Sequence, residues 1–235
     1  MKYIMITGGE RSGTTMISRW LQGHSSVFVE DEYRVVETMV AAWNVLERQR
    51  HHDDIKDISL DYFRAYLEDM YRERGWGGKI PVVDKHPMMK YNIDMLKFLK
   101  KAFPKMNFIY MLRDGRNVVK SMRQRTWGGS TKGSTNNERS IEFCCELWNK
   151  VIDNTYDYIK ENDNFTIFRF EDIKENTIKN SKKICDLIGI EYDNPIPFKT
   201  DRKTGKTSYK DFFDNDQIEF IEDKIGDNLK RTNYA

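Results

Sequence analysis

Short apolar runs alternate along the chain with longer stretches of helical periodicity. Tyr3 to Thr7 is apolar and β-branched and stops at Gly8 and Gly9; from near Thr14 a helix is expected, with Met16, Ile17, Trp20 and Leu21 on one face. Ser26 to Val29 reads as a second strand opening into Glu30, Asp31 and Glu32. A helix over Val35 to Arg50 follows, its face formed by Val36, Met39, Val40, Trp43 and Leu46. Residues 51 to 58 read as a polar connection. Leu60 to Arg74 is an amphipathic helix ended by Gly75, Gly77 and Gly78, with Tyr62, Phe63, Tyr66, Met70 and Tyr71 as its core face. Ile80 to Val83 is a third strand that runs into Asp84, Lys85, His86 and Pro87, and Tyr91 to Phe103 is a helix stopped by Pro104. Asn107 to Leu112 is the clearest buried strand. Thr126 to Asn137 has the composition of a mobile loop. A helix from Glu138 to Lys160, a strand from Phe165 to Phe170 and a helix from Asn176 to Ile188 continue the alternation. Residues 190 to 216 read as irregular, before a last helix from Gln217 to Leu229. Strands alternating with helices predict an α/β fold, a central parallel β-sheet with helices on both faces.

Composition narrows this picture. A chain of 235 residues, 39% apolar, can bury one sizeable core, so a single domain is expected, with residues 1–190 as its α/β core and 191–235 as a C-terminal irregular segment and helix. Lys and Arg number 39 against 37 Asp and Glu, a net charge of +2, and no basic stripe with stacking aromatics is present. Neither nucleic acid nor a membrane surface is implied as a partner. With no basic-then-apolar leader and no apolar run of about 18 residues, the chain reads as soluble and cytoplasmic. The three cysteines, two of them adjacent at Cys144 and Cys145, form neither a disulfide framework nor a metal-ligand spacing and read as core thiols. His51 and His52, neighbours in a charged stretch with no i, i+4 partner, read as solvated rather than metal-binding.

The chemistry starts at residues 8–15, GGERSGTT. A glycine turn between strand and helix aims backbone N–H groups and the positive end of a helix dipole at one point, which suits a phosphate. The spacing matches the P-loop frame GxxxxGK[ST], except that Thr14 stands in the lysine position. That lysine, with Mg²⁺, normally neutralises the terminal phosphates of a nucleoside triphosphate, so a loop carrying Arg11 instead favours another ligand. Taken alone the loop also fits a tight strand-to-helix connection. The second motif is LRDGRNVVKS, residues 112–121, where Arg113 ends a strand and Ser121 follows about two helical turns later. A guanidinium fork and a hydroxyl facing one cleft can hold a second, separate phosphate, although alone they also fit a solvated surface turn. Asp84, Lys85 and His86 sit at a strand end, where open α/β sheets place ligands.

RSGTT at Arg11 to Thr15, together with the second motif in the same order and approximate separation, resembles PAPS-dependent sulfotransferases. The match is nearest to tyrosylprotein sulfotransferases over Arg11 to Arg34, and it continues through DKHP (84–87), FPKMNFIYMLRDGRNVVKSM (103–122), the segment around Trp148 and Asn149, and RFEDI (169–173). The resemblance implies a P-loop-type fold and 3′-phosphoadenosine 5′-phosphosulfate as donor. In the family's terms Arg11 and Lys85 stabilise charge on the leaving 5′-phosphate, the backbone of Ser12, Gly13, Thr14 and Thr15 cradles it, and Arg113 and Ser121, with Arg125 as a further charge, clamp the 3′-phosphate. Glu32 matches the catalytic glutamate, with Glu30, His24 and His86 as fallback bases, and Arg34 matches an acceptor-binding arginine. Phe170 departs from the tyrosine common in the family, and the chain is expected to lack the Golgi enzymes' membrane anchor.

Charge explains why no metal is expected: a sulfuryl group is less negative than a terminal phosphoryl, so cationic side chains suffice at the leaving oxygen. The acceptor hydroxyl stays open between tyrosine, glycan and small molecule. The 126–137 loop and the basic residues Lys199, Arg202, Lys203 and Lys206 are expected to close over the ligands. Two other readings compete: a P-loop small-molecule or nucleotide kinase, opposed by Thr14, and a non-catalytic nucleotide-binding module, opposed by Glu32 and Lys85.

Overall fold

The computed structural model describes residues 2–31, 35–47, 53–78, 80–86, 93–124, 139–197 and 208–235. Five strands among them, β1 (Tyr3–Gly8), β2 (Phe28–Asp31), β3 (Val82–Lys85), β4 (Asn107–Leu112) and β5 (Phe165–Arg169), form one parallel sheet in the order β2-β3-β1-β4-β5. The helices are α1 (Thr14–Gln22), α2 (Val35–Glu47), α3 (Asp53–Glu73), α4 (Ile93–Ala102), α5 (Gly115–Arg123), α6 (Ile141–Lys160), α7 (Phe170–Glu175), α8 (Thr177–Ile188) and α9 (Asn215–Arg231).

Successive strand side chains point to opposite faces, so each buried strand feeds two cores. Tyr3, Met5, Val82, Phe108, Tyr110 and Leu112 join residues of α2, α3, α4, α5, α6 and α9 on one face. Ile4, Ile6, Val83, Ile109 and Met111 join α1, α7 and α8 on the other. The continuous apolar runs of β1 and β4 are therefore the signature of strands covered on both sides, as expected. Gly115 starts α5 because a side chain there would meet Ile225 Cδ1 at 2.7 Å and the Trp148 indole at 2.8 Å. That close approach packs α5 against α6 and α9.

Several boundaries differ from the sequence expectation. Residues 53–58, read as polar connection, are the first turns of α3. Tyr62 and Tyr66 are exposed, at 72% and 52%, because only the side of α3 bearing Leu67 and Tyr71 meets the sheet. β3 begins at Val82 and contains Asp84 and Lys85 instead of preceding them. β5 ends at Arg169, and Phe170 opens a short helix that periodicity cannot detect in six residues. Within the segment read as irregular, Tyr209–Asp211 forms a 3₁₀ turn with a Ser208 capping box. Cys144, Cys145 and Cys185 are buried free thiols, as expected. No helix of the described residues is long and apolar enough to cross a membrane. The 126–137 loop, His51, His52 and the basic cluster at 199–206 lie outside the described residues.

Beneath the sheet's functional edge, Asp84 is fully buried and its Oδ2 accepts from the hydroxyls of Tyr71 (3.1 Å) and Tyr3 (3.3 Å), joining α3, β1 and β3. Burial pushes this carboxyl up to about 7, opposed by the two tyrosine hydrogen bonds and reinforced by Glu30 and Asp31. The folded protein thus binds the proton more tightly than the unfolded chain, whose carboxyl titrates near 4. Stability from this group is present at low pH and is lost as pH rises from about 4 to 7. In urea denaturation, wild type is expected to lose stability relative to Asp84→Asn by on the order of 1 kcal/mol per pH unit across that window. A difference between the two proteins that stays flat with pH would contradict the assignment.

Candidate active site

Parallel strands end together, and here the carboxyl ends of β1, β3 and β4 bring the motif residues to one edge of the sheet. Gly8, paired with Met111 of β4, has φ 144°, and a Cβ there would lie 2.3 Å from the Met111 carbonyl oxygen. Only glycine lets β1 turn so close to β4. Gly13, at φ 104°, caps α1 with no side chain, and a Cβ on it would meet the Phe170 ring at 2.7 Å. No acidic residue occupies the first turn of α1, and no side-chain oxygen caps its amides. The Thr14 and Thr15 end of α1 is therefore suited to an external anion. Ser12 is buried and spends its hydroxyl on the Gly9 carbonyl at 2.6 Å, so its contribution to such a cradle is its backbone.

Arg11 is held at φ 63°, a left-handed conformation unusual for a side-chain-bearing residue. Arg113 Nη1 donates to the Arg11 carbonyl at 2.9 Å, and Arg11 Nε donates to Ser121 Oγ at 2.9 Å. Arg11 is thus linked directly to two residues about a hundred positions away in sequence. The Arg113 guanidinium lies 4.3 Å over the Phe170 ring, and its buried Nε has no hydrogen-bond partner among the described residues. Burial lowers its pKa, with nearby Arg11 acting in the same sense and the carboxylates of Glu171 and Asp114 opposing. A desolvated guanidinium with an unsatisfied donor, beside a second arginine and a hydroxyl, fits an anionic ligand such as a phosphate. Where a tyrosine hydroxyl was expected to be missing, Phe170 instead supplies an aromatic platform for Arg113.

Lys85 lies on the other side of β1, in register with Ile6 and with Asp31 of β2. It is 2% exposed, and its Nζ is 2.8 Å from Asp31 Oδ1. The structure therefore groups Arg11, Arg113 and Ser121 by direct hydrogen bonds and places Lys85 two strands from β4, beside the acidic end of β2. Glu32, Arg34 and Arg125 lie outside the described residues. Of the fallback bases, Glu30 is paired with Arg74 at 2.7 Å and His24 Nε2 bonds the Glu191 carbonyl at 2.9 Å, while His86 is buried at the end of β3.

Sequence reading missed three supporting groups. Glu10, a negative charge inside the glycine loop, is held 2.9 Å from Arg139, which precedes α6. Asp114 caps α5 by accepting from the Arg116 amide and pairs with the Arg116 guanidinium. Glu171 accepts from the Asp114 amide and from the Tyr234 hydroxyl. Only the Asp114 cap had a local signal, an Asp opening a helical run; the other partners are distant in sequence. Near the far end of α5 a cavity of about 690 Å³ is lined by Arg123, Ser140, Glu142, Asp216 and Phe220 and includes none of Arg11, Arg113 and Ser121.

Residues 4–194 match the model of a family described as "Sulfotransferase family". The chain is similar to protein-tyrosine sulfotransferase 1 of Danio rerio, 31% identical over 165 residues, covering 66% of this chain and 44% of that one. It is also similar to protein-tyrosine sulfotransferase 1 of Homo sapiens, 28% identical over 162 residues, 65% and 41% of the two chains. The chain thus spans less than half the length of these relatives. In three dimensions it resembles a sulfotransferase from Alicyclobacillus acidocaldarius, with a TM-score of 0.60, 12% identity and 98% and 94% of the two chains covered. A mouse sulfotransferase complexed with PAP gives a TM-score of 0.60, 13% identity and 97% and 85% coverage. The lysine-free glycine loop, the arginine and serine joined to it, and a family match across most of the chain lead to one conclusion: this protein belongs to the sulfotransferase family.

Proposed function

We propose that this chain transfers a sulfuryl group from 3′-phosphoadenosine 5′-phosphosulfate to an acceptor hydroxyl. The observation that carries the reading is the hydrogen-bonded group Arg113, Arg11 and Ser121 beside a glycine loop that has no P-loop lysine. Its two ends suit two phosphates on one nucleotide: the amino end of α1 for the 5′-phosphate, and Arg113 with Ser121 for the 3′-phosphate. A nucleoside triphosphate requires lysine and Mg²⁺ at the loop, which weighs against the kinase reading.

In this mechanism the acceptor oxygen attacks sulfur as its proton passes to Glu32. The sulfur–oxygen bond to the 5′-phosphate breaks, and the electron pair stays on the phosphate oxygen. Arg11 and Lys85 offset the charge that develops there, so the reaction proceeds without a metal. Asp31, paired with Lys85, orients the ammonium from the β2 side. Glu32, the residue after Asp31 in sequence, is assigned as that base. Arg34 is assigned to the acceptor, and Arg125 to the 3′-phosphate as a further charge. The relatives' names, protein-tyrosine sulfotransferase, support testing a phenolic hydroxyl before a glycan.

Thermal unfolding with PAP and no metal, compared with ATP and Mg²⁺, tests the donor. PAP at about 100 times its Kd is expected to stabilise by roughly 2.7 kcal/mol, a shift of several degrees for a chain of this size. Arg113→Ala is expected to remove that shift. Stabilisation by ATP and Mg²⁺ alone would overturn the sulfotransferase reading in favour of a kinase. For the base, Glu32→Gln is expected to lower turnover of a phenolic acceptor by about 100-fold or more while PAP affinity is retained. Unchanged turnover in that variant would remove Glu32 from the mechanism.

A further inference from the structure

The last turn of the described chain lies outside the span of the family match, yet it is built into the back of the anion site. After α9, the Thr232 hydroxyl donates to the Asn228 carbonyl at 2.6 Å. Asn233, at φ 58°, reverses the backbone, and the Tyr234 amide returns to the Leu229 carbonyl at 2.8 Å. This gives Thr232 to Tyr234 a defined shape that two arginines, one ending β5 and one in the first turn of α5, then grip. Arg169, the last residue of β5, donates to the carbonyls of Thr232 and Asn233 and lies 4.2 Å over the Tyr234 ring. Arg116 donates to the Tyr234 carbonyl at 2.9 Å and, through the same nitrogen, to Asp114 Oδ2 at 2.9 Å.

The grip ends at Arg113. The Tyr234 hydroxyl donates to Glu171 Oε2 at 2.7 Å, and Glu171 Oε1 accepts from the amide of Asp114, the residue after Arg113, at 3.3 Å. Glu171 is the neighbour of Phe170, on whose ring Arg113 rests. Backbone after Arg113 and platform beneath it are thereby tied to one carboxylate, whose second oxygen is held by Tyr234. The same carboxylate supports the charge of the desolvated guanidinium. Among the described residues no carboxylate is in ion-pair contact with Arg113, so its charge is sustained at a distance instead of being neutralised in contact.

We infer that Thr232 to Tyr234 form a clasp that, through Glu171, aims Arg113 at the 3′-phosphate of the nucleotide, making Tyr234 and Glu171 positioning residues for 3′-phosphate selectivity. This rests on the donor reading given above. A loose clasp leaves the α1 end of the site intact and weakens only the contact to the 3′-phosphate. Selectivity therefore separates positioning from general support of the fold.

The experiment measures Kd for PAP and for adenosine 5′-phosphate, which lacks the 3′-phosphate, by titration and by competition so that millimolar values are in range. Wild type, Tyr234→Phe, Glu171→Gln and Arg113→Ala are compared. Tyr234→Phe is expected to cut the preference for PAP roughly tenfold, the scale of one hydrogen bond, with affinity for adenosine 5′-phosphate unchanged. The same change placed on Arg113→Ala is expected to have no further effect. Glu171→Gln, close in shape but uncharged, is expected to move the preference in the same direction, and it serves if Tyr234→Phe does not fold. An unchanged preference, or an equal loss for both nucleotides, would overturn the clasp. A wild type that does not prefer PAP to adenosine 5′-phosphate would instead overturn the donor reading on which it stands.

Discussion

The hydrogen bond from Arg113 to the carbonyl of Arg11 joins the two loops on which the site depends. One loop follows β1 and the other follows β4, and these strands are neighbours in the sheet. A left-handed conformation at a residue other than glycine costs on the order of 1 kcal/mol, and Arg11 adopts one at φ 63°. The Arg113 bond offsets that cost and leaves the Arg11 side chain directed at Ser121. The glycines on either side follow from the same constraint. Gly8 permits the approach to Met111, and Gly13 permits the approach of Phe170, which in turn carries Arg113.

Concentrating cations at a buried edge has an electrostatic cost, and the surrounding carboxylates show how it is met. Asp31 lies against Lys85 and Glu171 supports Arg113, while Glu10, inside the glycine loop, is paired with Arg139. Each carboxylate is engaged by a nearby donor, so positive potential is preserved where a phosphate would enter. A net charge of +2 over the whole chain gives no hint of this arrangement, because the field that matters is local. Asp84 is the outlier: it sits beneath the edge, held by two tyrosine hydroxyls, and burial raises its pKa.

Much of this was legible along the chain. The parallel sheet showed in the alternation of strands with helices and in the continuous apolar runs of β1 and β4, and the strand–turn–helix at Gly8 to Thr14 in the glycine spacing before α1. Arg113 and Ser121 were legible as a pair because helix geometry carries one back toward the other. The missing lysine at Thr14 was equally plain, and it directed the choice of ligand. Short elements were not legible. Helix α7 is too brief for a periodicity, and the early start of α3 lies in a polar stretch with no apolar periodicity to mark it.

The sequence by itself thus determined the fold class, the order of its elements and the residue types offered to an anion, because hydrophobic periodicity and turn chemistry act locally. Tertiary structure alone decided which side chains complete one another. Nothing in the local sequence links Tyr234 to Glu171, Arg139 to Glu10, or Arg113 to the backbone of Arg11. Those contacts exist because parallel strands bring their carboxyl ends to one edge and because α9 packs on α5 and α6, returning the chain to the same place. Hydrogen bonds and desolvation act through distances of a few ångströms, and only the folded chain sets those distances.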